Sequence, residues 1–112
     1  MPIIHGAADI MKVSFRSRKL ETLEFEAGDA GYAPEAVKAF RNRMQFLRGA
    51  KDERDLRAMK SMRFEKLKGA RSHQYSLRLN DQWRLVLEFD ENTPKTLVII
   101  DSEDSHGGSL QA

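Results

Sequence analysis

The chain has 112 residues, of which 40% are hydrophobic and 32% charged, with a formal net charge of +2 at pH 7 and a pI near 9.0. This length suits one domain with a single core, and no apolar run approaches the roughly 20 residues that cross a membrane. The absence of cysteine excludes disulfides, thiolate catalysis and Cys-ligated zinc, and it favours a reducing cytoplasm. The basic pI permits a polyanionic partner without requiring one.

Two terminal stretches fall outside the periodic part of the sequence. Residues 1–10, MPIIHGAADI, join no hydrophobic pattern and lack the basic-then-apolar layout of a signal peptide. Residues 107–112, GGSLQA, have a small, flexible composition. We therefore predict an N-terminal extension over 1–10, a single domain over 11–106 and a flexible tail over 107–112.

The first half of the domain predicts a strand and two helices. Residues 12–16 alternate polar and apolar side chains, as a strand does. Ser17 is a suitable N-cap for a first helix, which Gly28 would end. A second helix is predicted over 34–49, because apolar residues at steps of three and four share one of its faces: Val37, Phe40, Met44 and Leu47.

A charged connection over residues 51–62 follows, with room for a further helical turn and with Leu56 and Met59 as its expected anchors. From Phe64 the period changes to two, which predicts strands at 64–67, 75–79, 83–89 and 96–100. The order β-α-α-β-β-β-β predicts an α+β fold. In this fold two N-terminal helices pack on one face of a largely antiparallel sheet.

Charge is distributed unevenly along the second half of the domain. Residues 63–84 hold six Lys or Arg against two acids, a net +4, whereas 85–106 hold six acids against one Lys, a net −5. Alternation along the strands sends some of the cations to the face of the sheet that the core does not need. We expect five cations to converge on one concave rim and to bind phosphates by charge-assisted hydrogen bonds: Lys66, Lys68, Arg71, Arg78 and Arg84.

Other site chemistries find little support. The sequence has no Gly-rich phosphate loop and no helix with a paired-histidine zinc motif. Its acids at 101–104 could bind a divalent ion, but an exposed acidic segment is the simpler interpretation. The three histidines lie far apart in sequence, at His5, His73 and His106. No metal and no cofactor are therefore expected.

RNA cleavage needs no metal, because the 2′-hydroxyl of the substrate can attack the adjacent phosphorus. A base takes the hydroxyl proton, an acid protonates the leaving 5′-oxygen, and cations stabilise the charge of the phosphorane. His106 or His73 suits the proton transfers near pH 7, and Lys68 would do so only with a pKa lowered by neighbouring cations. Tyr75 and Trp83 could stack on bases, although a core position is more frequent for such residues. From chemistry alone, a nuclease and a passive RNA binder are equally supported.

Four segments together resemble a known family. They are KVSFRSRKLETLEF at 12–25, LKGAR at 67–71, YSLRLNDQWRLVLEF at 75–89 and IIDSEDSH at 99–106. With the second helix the resemblance spans residues 11–106, and the LKG and NDQWR motifs are its most specific part. The chain is similar to the HigB branch of the RelE/ParE toxin superfamily, also called plasmid maintenance system killer proteins.

That family implies an α+β fold and a cytoplasmic toxin of a type II toxin–antitoxin system, which enters the ribosomal A site and cuts mRNA there. The implied partners are the ribosome, mRNA and a HigA-like helix-turn-helix antitoxin, with operator DNA bound only through the antitoxin complex and no membrane. Two alternatives stay open, because one fold serves several functions. They are a ParE-like protein that inhibits DNA gyrase by binding, and a weakly active member that acts through partner binding.

The resemblance also implies roles for single residues. Lys68 of the LKG motif is a phosphate-binding or catalytic cation, and Arg84 of the WR pair stabilises transition-state charge. Further RNA or phosphate contacts are expected from the basic rim and its neighbours: Lys66, Arg71, His73 and Arg78. The family ends on a Tyr-His pair, so His106 carries over as a catalytic residue, whereas Ser105 stands where the aromatic is expected. Because Ser105 cannot stack on a base, we expect weak cleavage.

Overall fold

One mixed sheet forms the frame of the protein in its computed structural model, which describes residues 11–91 and 96–104. Its strands are β1 (Lys12–Phe15), β2 (Glu65–Lys66), β3 (Tyr75–Arg78), β4 (Trp83–Asp90) and β5 (Thr96–Asp104). They lie in the order β1-β5-β4-β3-β2. Pairing is antiparallel except between β1 and β5, which run parallel.

Three helices and two 3₁₀ turns connect these strands. The helices are α1 (Arg18–Phe25), α2 (Pro34–Gly49) and α3 (Glu53–Ala58), and the 3₁₀ turns span Lys60–Met62 and Gly69–Arg71. The apolar faces of α1 and α2 join one core cluster with alternate residues of the sheet. The predicted α+β fold, with two helices packed on a largely antiparallel sheet, is confirmed. The short helix α3 lies within the charged connection that had room for a further turn.

Helix α1 begins as predicted but ends early. Its N-cap Ser17 accepts a hydrogen bond through Oγ from the Leu20 amide at 3.2 Å. The helix stops at Phe25, before the predicted stop at Gly28, because the backbone is already extended at the C-cap Glu26. Arg41 of α2 then satisfies carbonyls that have no helical partner, donating at 3.1, 3.0 and 2.9 Å to Leu23, Glu26 and Gly28.

The core lies between the helices and one face of the sheet. Residues with almost no exposed area include Phe40, Met44 and Leu47 from α2 and Leu77, Leu85, Leu87, Leu97 and Ile99 from the strands. Leu56 of α3 is fully buried as predicted, but the second expected anchor was wrong, because Met59 is 43% exposed. Met59 follows the last residue of α3 with an extended backbone, so its side chain leaves the helical face. Met62 fills the core in its place.

The opposite side of the sheet, which we call the open face, carries the other half of the alternation. On β3 and β4 its members are paired across the strands, Ser76 with Val86 and Arg78 with Arg84. Val86 is 1% exposed but does not belong to the main core cluster, which lies on the helix side. The open face is therefore where polar side chains of the sheet come together.

A β-bulge in β5 decides which of its residues reach the open face. The pairing of β5 with β4 skips Ile100. Ile99 faces the helices before the bulge and Ser102 does so after it, so that Glu103 lies opposite Arg84 on the open face. If Ile100 paired with Val86 and the strand had no bulge, strict alternation would direct Glu103 toward the core.

The acidic end of β5 is part of the sheet. The strand continues to Asp104, well past the predicted end at residue 100. Ser102 is buried and the side chain of Glu103 is only 15% exposed, so the expected exposed acidic segment was wrong. Within 11–91 and 96–104, no helix is long and apolar enough to cross a membrane.

Candidate nucleic-acid interface

Two arginines of the open face lie side by side at the end of the β3–β4 hairpin. Arg78 and Arg84 are directly opposite each other, with side chains 37% and 34% exposed. Asn80 shapes the turn between them, because its Oδ1 accepts hydrogen bonds from the amides of Gln82 and Trp83 at 2.9 and 2.8 Å. The hairpin thus concentrates positive charge in one place.

Glu103 lies between two arginines. Its carboxylate accepts hydrogen bonds from Arg71 Nη1 at 3.2 Å and Nη2 at 2.6 Å, and its Oε1 also accepts from Arg84 Nη2 at 3.2 Å. Burial alone would raise the pKa of Glu103, but the hydrogen bonds and charges of Arg71 and then Arg84 outweigh burial and hold it below its ordinary value. Glu103 is therefore ionised at neutral pH.

A depression of about 360 Å³ lies beside these arginines. Its lining mixes cations with acids and small polar groups: Arg63, Glu65, Ser76, Arg78, Asn80, Asp81, Trp83 and Arg84. The Nε of Arg84 is buried and finds no hydrogen-bond acceptor within the part of the chain that the structure describes. A buried donor without an acceptor is unfavourable, so an anion that reached this N–H would be stabilised by it.

Arg43 of α2 fixes the end of β3 from behind. Its Nε donates to the carbonyl of Arg78 at 3.1 Å and its Nη2 to that of Leu79 at 3.5 Å. Burial and then the charge of Arg78 lower the pKa of Arg43, although an arginine retains its proton at neutral pH. The Arg78 side chain itself pairs with Asp81. The backbone that carries Arg78 is thereby tied to the helix layer.

A chain of polar contacts extends from Arg71 across the open face. Arg71 Nε donates to Gln74 Oε1 at 3.0 Å, and Gln74 Nε2 donates to Glu88 Oε2 at 2.9 Å. Glu88 also lies 3.5 Å from Arg16 Nη1 and 3.5 Å from His73 Nε2. His73, a predicted RNA contact, is thus placed at the far end of this network, with 63% of its side chain exposed.

The five predicted cations do not share one rim. Lys66 pairs with Tyr75 across β2 and β3, so it points to the helix side, where its Nζ lies 5.8 Å from the centre of the Tyr75 ring. The expectation of a common rim was wrong for Lys66, because the register gives the open face to Glu65. Lys68 is exposed at the start of the second 3₁₀ turn. Only the three arginines of the predicted rim meet in the network around Glu103 and the hairpin.

The two candidate stacking aromatics pack against other aromatic rings of the protein. Tyr75 stacks on Phe64 with ring centroids 5.1 Å apart, and Trp83 meets Tyr32 edge-on at 6.4 Å. Both are partly buried and pack against the core cluster. The core interpretation of these two residues is therefore confirmed, although Trp83 also lines the depression beside the arginines.

Several predictions fall outside the described residues. His106 and Ser105 lie there, as do 1–10 and 107–112, so the domain boundaries and the catalytic histidine stay predictions. The roles given to Lys68, Arg84 and the RNA contacts likewise stay predictions. In the described ranges, 11–91 and 96–104, no cluster of three or more acids or histidines is arranged to bind a metal ion.

Sequence reasoning missed three parts of this site, namely Glu103 as a partner of the arginines, Gln74 and Arg43. Glu103 was hidden because a bulge, which charge counts cannot reveal, decides its direction. The sequence holds no signal of the bulge, because residues 97–100 are all apolar and show no period of two that an extra residue could break. Arg43 contacts a segment 35 residues away, and Gln74 joins its neighbour Arg71 to Glu88 on β4, so neither contact follows from a local pattern.

Fold and site together define a class of protein. It is a small α+β protein that has helices on one face of its sheet and clustered arginines on the other. The family model described as RelE-like toxin of type II toxin-antitoxin system HigB matches residues 13–102, which is most of the chain. The protein therefore belongs to the HigB-like toxin family, and it is the toxin of a type II toxin–antitoxin system, with an antitoxin as its partner.

A solved structure supports the same fold. The structure titled YoeB/ParE toxin from Agrobacterium tumefaciens is similar to this chain with a TM-score of 0.50 and 17% sequence identity. The match covers 80% of this chain and 93% of that chain. At this identity the likeness shows the fold alone, and it confirms the predicted RelE/ParE-like architecture. No curated protein sequence matches the chain.

Proposed function

We propose that this toxin is a ribosome-dependent mRNA endonuclease that inhibits translation in the cytoplasm. The observation that carries the proposal is Arg84, a partly exposed arginine held on the open face with a buried Nε–H that lacks an acceptor among the described residues. An anchored guanidinium whose side chain is one-third exposed, at 34%, is suited to the negative charge that develops on a phosphate during cleavage. Arg78 directly opposite adds to the attraction for a polyanion.

The proposed reaction is a transesterification within the RNA. The 2′-oxygen forms a bond to the adjacent phosphorus as the bond from phosphorus to the 5′-oxygen breaks. A base takes the proton of the 2′-hydroxyl, and an acid gives a proton to the leaving 5′-oxygen. The products are a 2′,3′-cyclic phosphate and a 5′-hydroxyl. Arg84 stabilises the phosphorane, Lys68 binds a phosphate, and His106 is the proposed acid or base.

The proposed partners follow from this reaction. mRNA in the ribosomal A site is the substrate, and a HigA-like helix-turn-helix antitoxin is the inhibitor, with operator DNA bound only through the complex of the two. Lys68 favours contact with RNA, because it is exposed and no carboxylate in the described part of the chain forms an ion pair with it. Cleavage is expected to be weak, since Ser105 replaces an aromatic.

The test is cleavage of a defined mRNA by purified toxin in a reconstituted translation system, with the new 5′ ends mapped. We expect codon-phased cuts that leave 5′-hydroxyl ends, and only when ribosomes are present. Arg84→Ala should lower the rate by roughly 10²- to 10³-fold, the effect of removing one donor that stabilises a transition state. Arg54→Ala is the matched control, because Arg54 lies on α3 with its side chain 87% exposed.

Two results would contradict the proposal. One is equal cleavage by wild type and Arg84→Ala, both folded by circular dichroism. The other is growth inhibition without any cut in mRNA, and inhibition of gyrase in the same assay series would then favour the ParE-like alternative.

A further inference from the structure

One carboxylate on the open face serves two arginines, and this shared contact has a consequence for the proposed reaction. Glu103 receives three hydrogen bonds, two from Arg71 and one from Arg84, at 3.2, 2.6 and 3.2 Å. Its side chain is only 15% exposed. A contact of this kind, charge-assisted and partly buried, fixes geometry better than an ion pair in solvent.

The two arginines are not equivalent. Every nitrogen of the Arg71 guanidinium has a partner: Nε binds Gln74, and Nη1 and Nη2 bind Glu103. Arg71 therefore has fewer donors left for RNA than its charge suggests. Its contacts instead anchor both oxygens of the Glu103 carboxylate, and Oε1 is shared with Arg84.

Arg84 is the member with donors to spare. It gives Glu103 a single hydrogen bond through Nη2, while its Nε is buried and has no acceptor among residues 11–91 and 96–104. Its cross-strand neighbour Arg78 carries the same charge, so the two guanidinium groups repel each other and Arg84 needs an acidic partner to fix its position. Glu103 lies opposite Arg84 on the other neighbouring strand and supplies that hold.

We propose that Glu103 is a positioning residue of the proposed nuclease, which Arg71 fixes and which in turn orients Arg84 toward the scissile phosphate. The inference rests on the proposed function for its reaction, and it reassigns Arg71 from an RNA contact to a support of Glu103. Charge alone would not suggest this role, because an acid in a phosphate-binding site is expected to repel the phosphate. The orientation gained outweighs that repulsion, because Arg71 offsets the charge of Glu103.

The first experiment is a double-mutant cycle on single-turnover mRNA cleavage. Glu103→Gln, which preserves shape but removes charge, should slow cleavage roughly 10- to 100-fold, the effect of a misplaced catalytic group. In an Arg84→Ala background, Glu103→Gln should have no further effect, because Glu103 acts through Arg84. Glu53→Gln is the control, since Glu53 forms a comparable pair with Arg57 on α3.

Two outcomes of this cycle would overturn the inference. Faster cleavage by Glu103→Gln would mean that the carboxylate competes with the phosphate. If Glu103→Gln slowed cleavage equally in the wild-type and Arg84→Ala backgrounds, Glu103 would act independently of Arg84. Arg71→Gln serves as a second variant should Glu103→Gln unfold, and it should slow cleavage in the same Arg84-dependent way.

A second experiment does not depend on cleavage. The Nε–H resonance of Arg84 in an NMR spectrum of the free protein should be sharp in wild type and in Glu53→Gln, because the guanidinium is held. It should broaden or disappear by exchange with water in Glu103→Gln. An unchanged signal would overturn the inference. If wild type fails to cut mRNA while the signal is sharp in wild type and broadens in Glu103→Gln, the proposed function is refuted and the positioning of Arg84 by Glu103 is retained.

Discussion

Arg78 and Arg84 face each other directly across the β3–β4 hairpin, as a cross-strand pair of like charge. Such a pair destabilises a sheet. Each arginine has its own carboxylate, Asp81 for Arg78 and Glu103 for Arg84. The pair is thus maintained at some energetic cost, as is common where a site must attract a polyanion.

Arg78→Gln tests whether this pair attracts RNA. Stability should change by no more than about 0.5 kcal/mol, because the lost ion pair and the relieved repulsion act in opposite directions. Binding of a short single-stranded RNA, followed by fluorescence anisotropy over a range of salt, should weaken. The slope of log K against log salt should fall by about 0.7, the value for one phosphate contact on a single strand. Arg54→Gln removes the same charge from α3 and should leave the slope unchanged. If the slope fell equally in Arg78→Gln and Arg54→Gln, the weaker binding would result from the lower net charge and not from the loss of a contact at Arg78.

Leu56 and Met59 offer a matched test of the core. Leu56→Ala should lower the free energy of unfolding by about 2–5 kcal/mol, because the side chain is fully buried. Met59→Ala should lower it by less than about 1 kcal/mol, because Met59 is 43% exposed. Urea denaturation with a common m-value measures both. Comparable losses would show that Met59 belongs to the core after all.

The pH dependence of stability should report Glu103. Its pKa is lowered from the ordinary value of 4.5, chiefly because hydrogen bonds from Arg71 outweigh the effect of burial. A carboxyl with a lowered folded-state pKa contributes stability above its unfolded pKa and loses it as pH falls through the folded value. The difference in unfolding free energy between wild type and Glu103→Gln should therefore be constant above 4.5 and shrink below it. A difference that instead grew on acidification would contradict the sign of this shift.

Arg43→Met tests the link between α2 and the hairpin. Methionine preserves much of the length of the side chain but removes the donors to the carbonyls of Arg78 and Leu79. The loss should be about 1–3 kcal/mol in the free energy of unfolding, as for carbonyls left without a partner. Amide exchange at residues 78–84 should accelerate. Lys38→Met, at an exposed position of the same helix, is the control and should alter neither measurement.

The sequence was informative wherever structure follows from local periodicity. The apolar stripe of α2 and the alternation of β3 and β4 are local, and both were predicted with nearly correct ends. The direction of Lys66 could not be predicted, because it depends on the register of β2 against β3 and not on composition. The contacts of Arg71 and Arg84 with Glu103 join segments far apart in the chain, and no local pattern encodes them.

The unpaired residue Ile100 makes the end of β5 sensitive to changes in register. Deletion of Ile100 would remove the bulge and leave Asp101, Ser102 and Glu103 opposite their present partners on β4, so Glu103 would remain beside Arg84. If Ile100 instead paired with Val86, every later residue would move to the other face of the sheet. Glu103 would then turn toward the apolar interior and Ser102 would lie opposite Arg84, so that loss of the bulge at constant length would remove the acid from the site with no change in composition.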